Sequence, residues 1–422
     1  MIKSRCYLIF LSLIFILYYT ANVYGAILAG VGKSEITPPV GSPSAGYEKR
    51  CGKGMLGIHD PLLATTLAID NGEEFLAFCS VDHLGFTYEM VQEVKQKVHT
   101  YSDLQDLKIY LGSTHTHSGG GGFLNIPIIG EMLCGPYDSQ LTQQTIDRTV
   151  QSIVTAAKNL QPAKVGIGYG DVKEISFYRS QWPQKVDPLT DLAIIKVTHL
   201  DGSPLAVVYN YALHPTVLNA DNLFFSADYV GQARNSIKKL LGEPAEAIFF
   251  NGAQAEIIPQ SMDIDGYAQC ELIGDLLAKE IVQVWQATET TDEMKIELYK
   301  ENYTFNTQPT PMGLKIPIEK YQSELNLMIF DNQHVFVTIP GELSCVYDAM
   351  LKEWGKKEGF RHVSVLGLVN DAHGYIILPE AWEKKTFESG MSWGGKYYGA
   401  SIFEKVMNLF QNSYMHKPAI TY

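Results

Sequence analysis

Residues 111–123 read LGSTHTHSGGGGF. The residues leading into this stretch, Leu107, Ile109 and Leu111, alternate as a buried strand does. The strand then gives way to His115, Thr116, His117, Ser118 and four glycines. In extended chain, residues i and i+2 point to the same side, so both imidazoles are expected to face one way at a strand end. Glycines just beyond let the backbone come close to whatever sits there. Such a strand end is where an α/β protein places a metal ion or an acid–base pair. The plainer alternative is two histidines satisfied by hydrogen bonds beneath a loop.

Working outward, the same design recurs. β-type runs are expected over 26–37, 62–69 and 75–81, with Asp70-Asn71-Gly72 as a hairpin turn between the last two. Further runs cover 164–168, 191–197, 205–211, 247–250, 294–304, 325–339 and 363–368. Helical spacing covers 88–101, 139–160, 230–241, 267–285, 344–357 and 401–410. Strands and helices mix throughout, with no repeat, no low-complexity linker and no clear boundary. The expected fold class is mixed α/β (α+β), a large catalytic domain over 26–422 with mixed β-sheets flanked by helices.

Residues 1–25 read as an export leader. Lys3 and Arg5 form a positive start, 8–17 is a short apolar core, and Val23-Tyr24-Gly25 precedes Ala26 as a small-residue cleavage site. The apolar core is shorter than the ~20 residues a membrane span needs, so a periplasmic or secreted location is expected. The 422-residue chain is acidic, with a net charge of −13. Lacking a basic run, it is a poor candidate for nucleic acid, and its charge does not indicate contact with a membrane surface. Beyond the leader, Cys51, Cys79, Cys134, Cys270 and Cys345 show no CxxC spacing. One or two disulfides suit an oxidising compartment, Cys51 with Cys134 being one pairing, and Cys79 reads as a buried apolar thiol.

Reactive residues recur where β-type runs stop. His214 ends LAVVYNYALHP, Glu342 ends HVFVTIPGE, NDAHGY (370–375) follows VSVLGLV, and NGAQAEIIPQ (251–260) follows AIFF. Side chains at successive strand ends can converge on one pocket. His115, His214 and Glu342 then make an N, N, O set that suits a catalytic zinc with an open position for water. Each has a plain alternative: a turn histidine before proline, a carboxylate at a helix N-terminus, and for Tyr375 a core residue.

These blocks are where the chain resembles a family. GVGKSEITPPVG, GSTHTHSGGGGF, NYALHP, NGAQAEIIPQ, IPGE and NDAHGY, in this order, are similar to the catalytic domain of neutral/alkaline non-lysosomal ceramidases. The resemblance implies a mixed α/β zinc hydrolase that cleaves the N-acyl amide of ceramide. It implies zinc (Zn2+) on His115, His214, Glu342 and Tyr375. It makes His117 a donor to the developing oxyanion or a proton shuttle, and puts Arg179 near the substrate. Glu256 stands where the related pattern has an acid and is a candidate base; its alternative is a carboxylate capping the loop. The chain departs from the family at Ile258, where a serine is expected, and at Phe387, where a second tyrosine is expected. It also stops at Tyr422, without the family's C-terminal domain. These departures point to a substrate other than simple ceramide.

The expected activity is hydrolysis of an acyl amide by metal-activated water, on a small-molecule, lipid or glycan substrate. His373 or a carboxylate would take the proton. Two alternatives remain open: a deacylase, hydrolase or lyase acting on acylated or uronate-containing glycans at the same metal site, and a non-catalytic ceramidase-like binding protein. The barrel amidohydrolases also carry an HxH at a strand end, but their order of motifs differs. The sequence leaves oligomeric state and a second ion open.

Overall fold

The computed structural model describes residues 27–50, 53–180, 182 and 190–415. The leader read at 1–25 lies outside the described residues. So does Cys51, and with it the Cys51–Cys134 pairing. Cys79, Cys134, Cys270 and Cys345 are buried free thiols. Among the described residues no helix is long and apolar enough to cross a membrane.

Among the described residues, twelve strands build the two larger sheets. The first holds β1 (Leu28–Glu35), β2 (Leu63–Asp70), β3 (Phe75–Val81), β4 (Lys108–Ser113), β5 (Gln161–Asp171), β6 (Asp191–His199), β7 (Pro204–Tyr211) and β8 (Glu246–Asn251), in the order β8-β7-β6-β5-β1-β2-β3-β4. Its interior pairs are antiparallel, and parallel pairs close both edges, β7 with β8 and β3 with β4. The second holds β9 (Ile296–Asn306), β10 (Lys320–Phe330), β11 (His334–Ile339) and β12 (His362–Gly367) in sequential order, with β11 and β12 parallel. Six longer helices are α1 (Tyr88–Val98), α2 (Ser139–Lys158), α3 (Asp228–Leu241), α4 (Gly266–Ala287), α5 (Cys345–Lys357) and α6 (Tyr398–Met415).

Period-two alternation sorts each strand's side chains onto two faces, and the sorting dictates the layers. Leu192 and Ile194 of β6, with Tyr209 of β7 and Phe249 of β8, pack under Val230 and Ile237 of α3 and Ile273 and Leu277 of α4. Ala64 of β2 and Cys79 of β3 pack under Val91 of α1 and Ile153 of α2. The intervening residues Ala193, Ile195 and Val197 turn the other way and meet Met328 and Phe330 of β10. In β10 the complementary pair, Leu327 and Ile329, faces Leu351 of α5 and Ile402 and Val406 of α6. The result is four layers: helices, the eight-stranded sheet, the four-stranded sheet, helices. Both sheets are apolar on two faces, which explains near-continuous apolar runs such as PLAVVYNY.

The mixed α/β class read from the sequence is the class observed. Differences concern element ends. β5 runs from Gln161 to Asp171 where the sequence marks only its apolar middle, and α6 extends three residues ahead of its expected start at 401.

Candidate metal centre

β4 ends at Ser113, and the chain bends at His115, whose φ is +71°. The expectation that His115 and His117 face one way by strand alternation is therefore corrected. The strand stops two residues early, and a turn brings the rings together, with centroids 4.9 Å apart and planes at 84°. A positive φ at a non-glycine residue is strained and persists where surrounding contacts enforce it. Here the His115 amide donates to His83 O at 2.9 Å, and Nδ1 lies 2.6 Å from Leu84 O. The glycines that follow approach the chain itself: a Cβ on Gly121 would lie 2.3 Å from Cys134 O.

His214 follows β7, and its Nδ1 lies 3.0 Å from Ile257 O. Glu342 follows β11 through Pro340 and Gly341, and is the Cα partner of Tyr375 in a short parallel pair. The Glu342 carboxylate then reaches both histidines. Its Oε2 is 2.9 Å from His214 Nε2 and 3.4 Å from His115 Nε2. All three side chains are buried, and their ligand atoms lie within 4.8 Å of one another.

A carbonyl oxygen only accepts, so each Nδ1 carries the proton, and in the neutral ring Nε2 is left as a lone pair. Burial pushes His214 below its ordinary value, toward that neutral form. Burial works against ionisation of Glu342, but His115 and His214 hold its carboxyl well below the usual carboxylate range. With an ion bound, the two Nε2 lone pairs and the carboxylate oxygen would all face it; without one, the His214 Nε2–Glu342 Oε2 contact at 2.9 Å is a hydrogen bond that needs a proton. The donor set is that of a three-residue site with an open position. The Nδ1-to-carbonyl bonds fix ring orientation as they do in known metal sites. The residues fit a divalent ion.

Around this cluster, His117 has both ring nitrogens closed off from solvent and without a partner. Burial, then the neighbouring His115 and His214, push its pKa well down, so it is neutral. Its ring leans on Tyr47 at 4.8 Å between centroids, and its carbonyl accepts from Arg50 Nη2 at 2.6 Å. Tyr375 is buried, and burial and the Glu342 charge keep its phenol protonated. That oxygen accepts from Arg179 Nη2 at 3.0 Å. Arg179 also donates through Nη2 to Ala255 O at 2.7 Å and through Nε to Glu388 Oε1 at 3.0 Å, with its guanidinium 4.7 Å from the centre of the Phe387 ring. Glu256 turns elsewhere: its Oε2 accepts from the Cys345 N–H at 3.0 Å, at the start of α5, and burial pushes its pKa up to about 7. Ile258 pairs with Phe177 in the short ladder beside Arg179.

The cluster opens on a cavity of about 130 Å³. His115, His117, Glu342 and Tyr375 form its polar end; Leu124, Ile126, Ile129, Ile316, Met391 and Trp393 make most of the rest apolar. His373 also lines it, with Nε2 3.1 Å from Tyr398 Oη and 3.3 Å from Tyr303 Oη. Sequence reasoning missed the apolar wall and Glu388. The wall comes from loops and one-turn helices too short to show a periodicity, and nothing in the sequence around Glu388 marks it as the partner of Arg179.

Fold and site together define a four-layer α/β protein with a His, His, Glu centre at the end of an apolar cavity. The model of the family "Neutral/alkaline non-lysosomal ceramidase, N-terminal" matches residues 27–247, more than half of the chain. The chain belongs to this family. It is similar to neutral ceramidase B of Dictyostelium discoideum, 28% identical over 176 residues, covering 37% of this chain and 24% of that protein. It is also similar to neutral ceramidase of Pseudomonas aeruginosa, 23% identical over 222 residues, covering 48% of this chain and 32% of that one. The matches thus span about a quarter to a third of these curated relatives. The crystal structure of the Pseudomonas aeruginosa neutral ceramidase superposes with a TM-score of 0.81 at 16% identity, covering 94% of this chain and 76% of that one; this likeness shows the fold. Glu342 and Tyr375 lie beyond the part matched by the family model.

Proposed function

We propose that this chain is an exported zinc-dependent hydrolase that cleaves the N-acyl amide of a lipid. In this reading, residues 1–25 are its leader and the remainder is one catalytic unit. The observation that carries the reading is the His115, His214, Glu342 cluster beside an apolar cavity that His115 and Glu342 line. An apolar wall suits an acyl chain and offers little to a glycan's hydroxyls, which ranks the lipid amide above the glycan alternative.

His115, His214 and Glu342 would hold the ion, with Tyr375 beside them. When bound, zinc supplies Lewis-acid polarisation of the acyl carbonyl and lowers the pKa of a water to about 7. The protein's own residues do the rest. Tyr375 receives a hydrogen bond from Arg179, so its O–H is free to donate to the oxygen on which negative charge develops. His117, neutral and unengaged, donates to the same oxyanion or passes a proton to the leaving nitrogen. Ile258 offers no hydroxyl, and in this reading water is the nucleophile. Glu256 is engaged at the α5 N-terminus and is assigned no proton transfer.

The test is a substrate panel: fluorescent long-chain N-acyl amides of several amines, a ceramide among them, against acylated and uronate-containing oligosaccharides. Release of fatty acid from an amide, lost with a chelator and restored by zinc, is expected. Turnover of the oligosaccharides alone would overturn the reading.

A further inference from the structure

Two uncharged segments lie beside the cavity lining. Residues 123–130 read FLNIPIIG and residues 307–314 read TQPTPMGL, on a chain whose net charge is −13. Behind their tips, Ile129, Ile316 and Trp393 pack into one apolar cluster that also lines the cavity. The tips themselves face outward: Ile128 is 80% exposed and Met312 is 56% exposed. Met312 lies over Gly390, next to the cavity residue Met391.

The backbone at Ile128 makes this exposure informative. Its φ and ψ are 67° and −60°, and the Ile129 N–H donates to Pro127 O at 2.8 Å. That is a γ-turn of the rare, strained hand, which suits a β-branched residue worst. Glycine would relieve the strain, and any polar side chain would suit water better. The chain instead holds an isoleucine out at the rim of an apolar cavity. With the side chain 80% exposed, burial in the core does not account for it.

We propose that Ile128 and Met312 dock the protein on a lipid surface, entering the acyl region so that the cavity opens onto the lipid phase. The proposal rests on the reading of the cavity as an acyl-chain site. The occupant is a neutral, zwitterionic surface. The two segments bring no cationic cluster, and the acidic chain is repelled by anionic headgroups.

The experiment uses the zinc-loaded protein from Ala26 onward, without the apolar leader, and phosphatidylcholine vesicles, read by co-sedimentation. Wild type is expected to sediment with vesicles. Ile128→Asp combined with Met312→Asp should weaken that partitioning by roughly tenfold or more. Turnover of a vesicle-embedded long-chain amide should fall with it, while a soluble short-chain amide is cleaved at an unchanged rate. Ile128→Gly removes the strain, so it should keep or raise Tm and still weaken vesicle binding, which separates docking from damage to the fold. Equal vesicle binding by wild type and the double variant would overturn the proposal. So would a wild type that ignores vesicles but turns over the soluble amide or self-associates through this patch; turnover there would leave the proposed activity standing. Vesicle binding with no turnover of any N-acyl amide would sink that activity and support the docking surface.

Discussion

Glu342 and Tyr375 face each other as Cα partners in a two-residue parallel pair. One backbone pairing therefore sets the carboxylate that reaches His115 and His214 beside the phenol that Arg179 holds. The pair follows from the second sheet, because β11 and β12 run parallel and deliver their following loops to the same end.

The centre should depend on both imidazoles. Purified protein is expected to hold close to one zinc per chain by elemental analysis, and His115→Ala with His214→Ala should bring this to background. Chelation of wild type should lower Tm, because it removes a ligand that binds only the folded state. Wild type without metal would count against the site.

Arg179 bridges Glu388 and Tyr375. Arg179→Ala should leave the buried Glu388 carboxylate unpaired, costing about 3 kcal/mol in denaturant unfolding. It should also lower kcat about 100-fold with zinc content unchanged. Arg179→Lys restores a charge without the fork and should recover stability more than rate. Loss of zinc in either variant would move Arg179 from orienting Tyr375 to holding the ion's ligands.

Gly46 has φ +105°, and a Cβ there would lie 2.6 Å from the His117 ring. Gly46→Ala should displace that ring and slow turnover roughly 10- to 100-fold, with zinc retained. A variant as fast as wild type would show that His117 has no part in catalysis.

Glu256 gives a pH signature. Its folded pKa, about 7, lies above its ordinary value because it is buried. The folded state therefore keeps this proton while the unfolded chain releases it, and stability falls as pH rises from about 4.5 to 7. Glu256→Gln lacks this loss, so its stability relative to wild type should rise across that window, by at most roughly 3 kcal/mol at pH 8. A pH-independent difference in urea unfolding would refute the protonated carboxyl.

Much of the fold was legible because its strands advertise themselves. The hairpin at Asp70-Asn71-Gly72 and apolar runs such as FLAFCSV need no tertiary context to be read. The residues His115, His214, Glu342 and Tyr375 were legible as polar groups where such runs stop. The geometry at His115 was not, because a positive φ at histidine has no local sequence signal. The role of Glu256 was not, because its partner, the Cys345 N–H, belongs to a helix 89 residues on. The apolar wall was hidden because loop residues such as Ile126 and Ile316 carry no periodicity.

The two histidines follow strands of the eight-stranded sheet, whereas Glu342 and Tyr375 follow strands of the four-stranded one. An ion held by His115, His214 and Glu342 would thus act as a clasp across the seam where the sheets lie on each other. Loaded protein would resist shear between its two β-layers; without the ion, side-chain packing and hydrogen bonds across the seam, such as Asn210 Nδ2 to Val365 O at 3.0 Å, would oppose that slide alone.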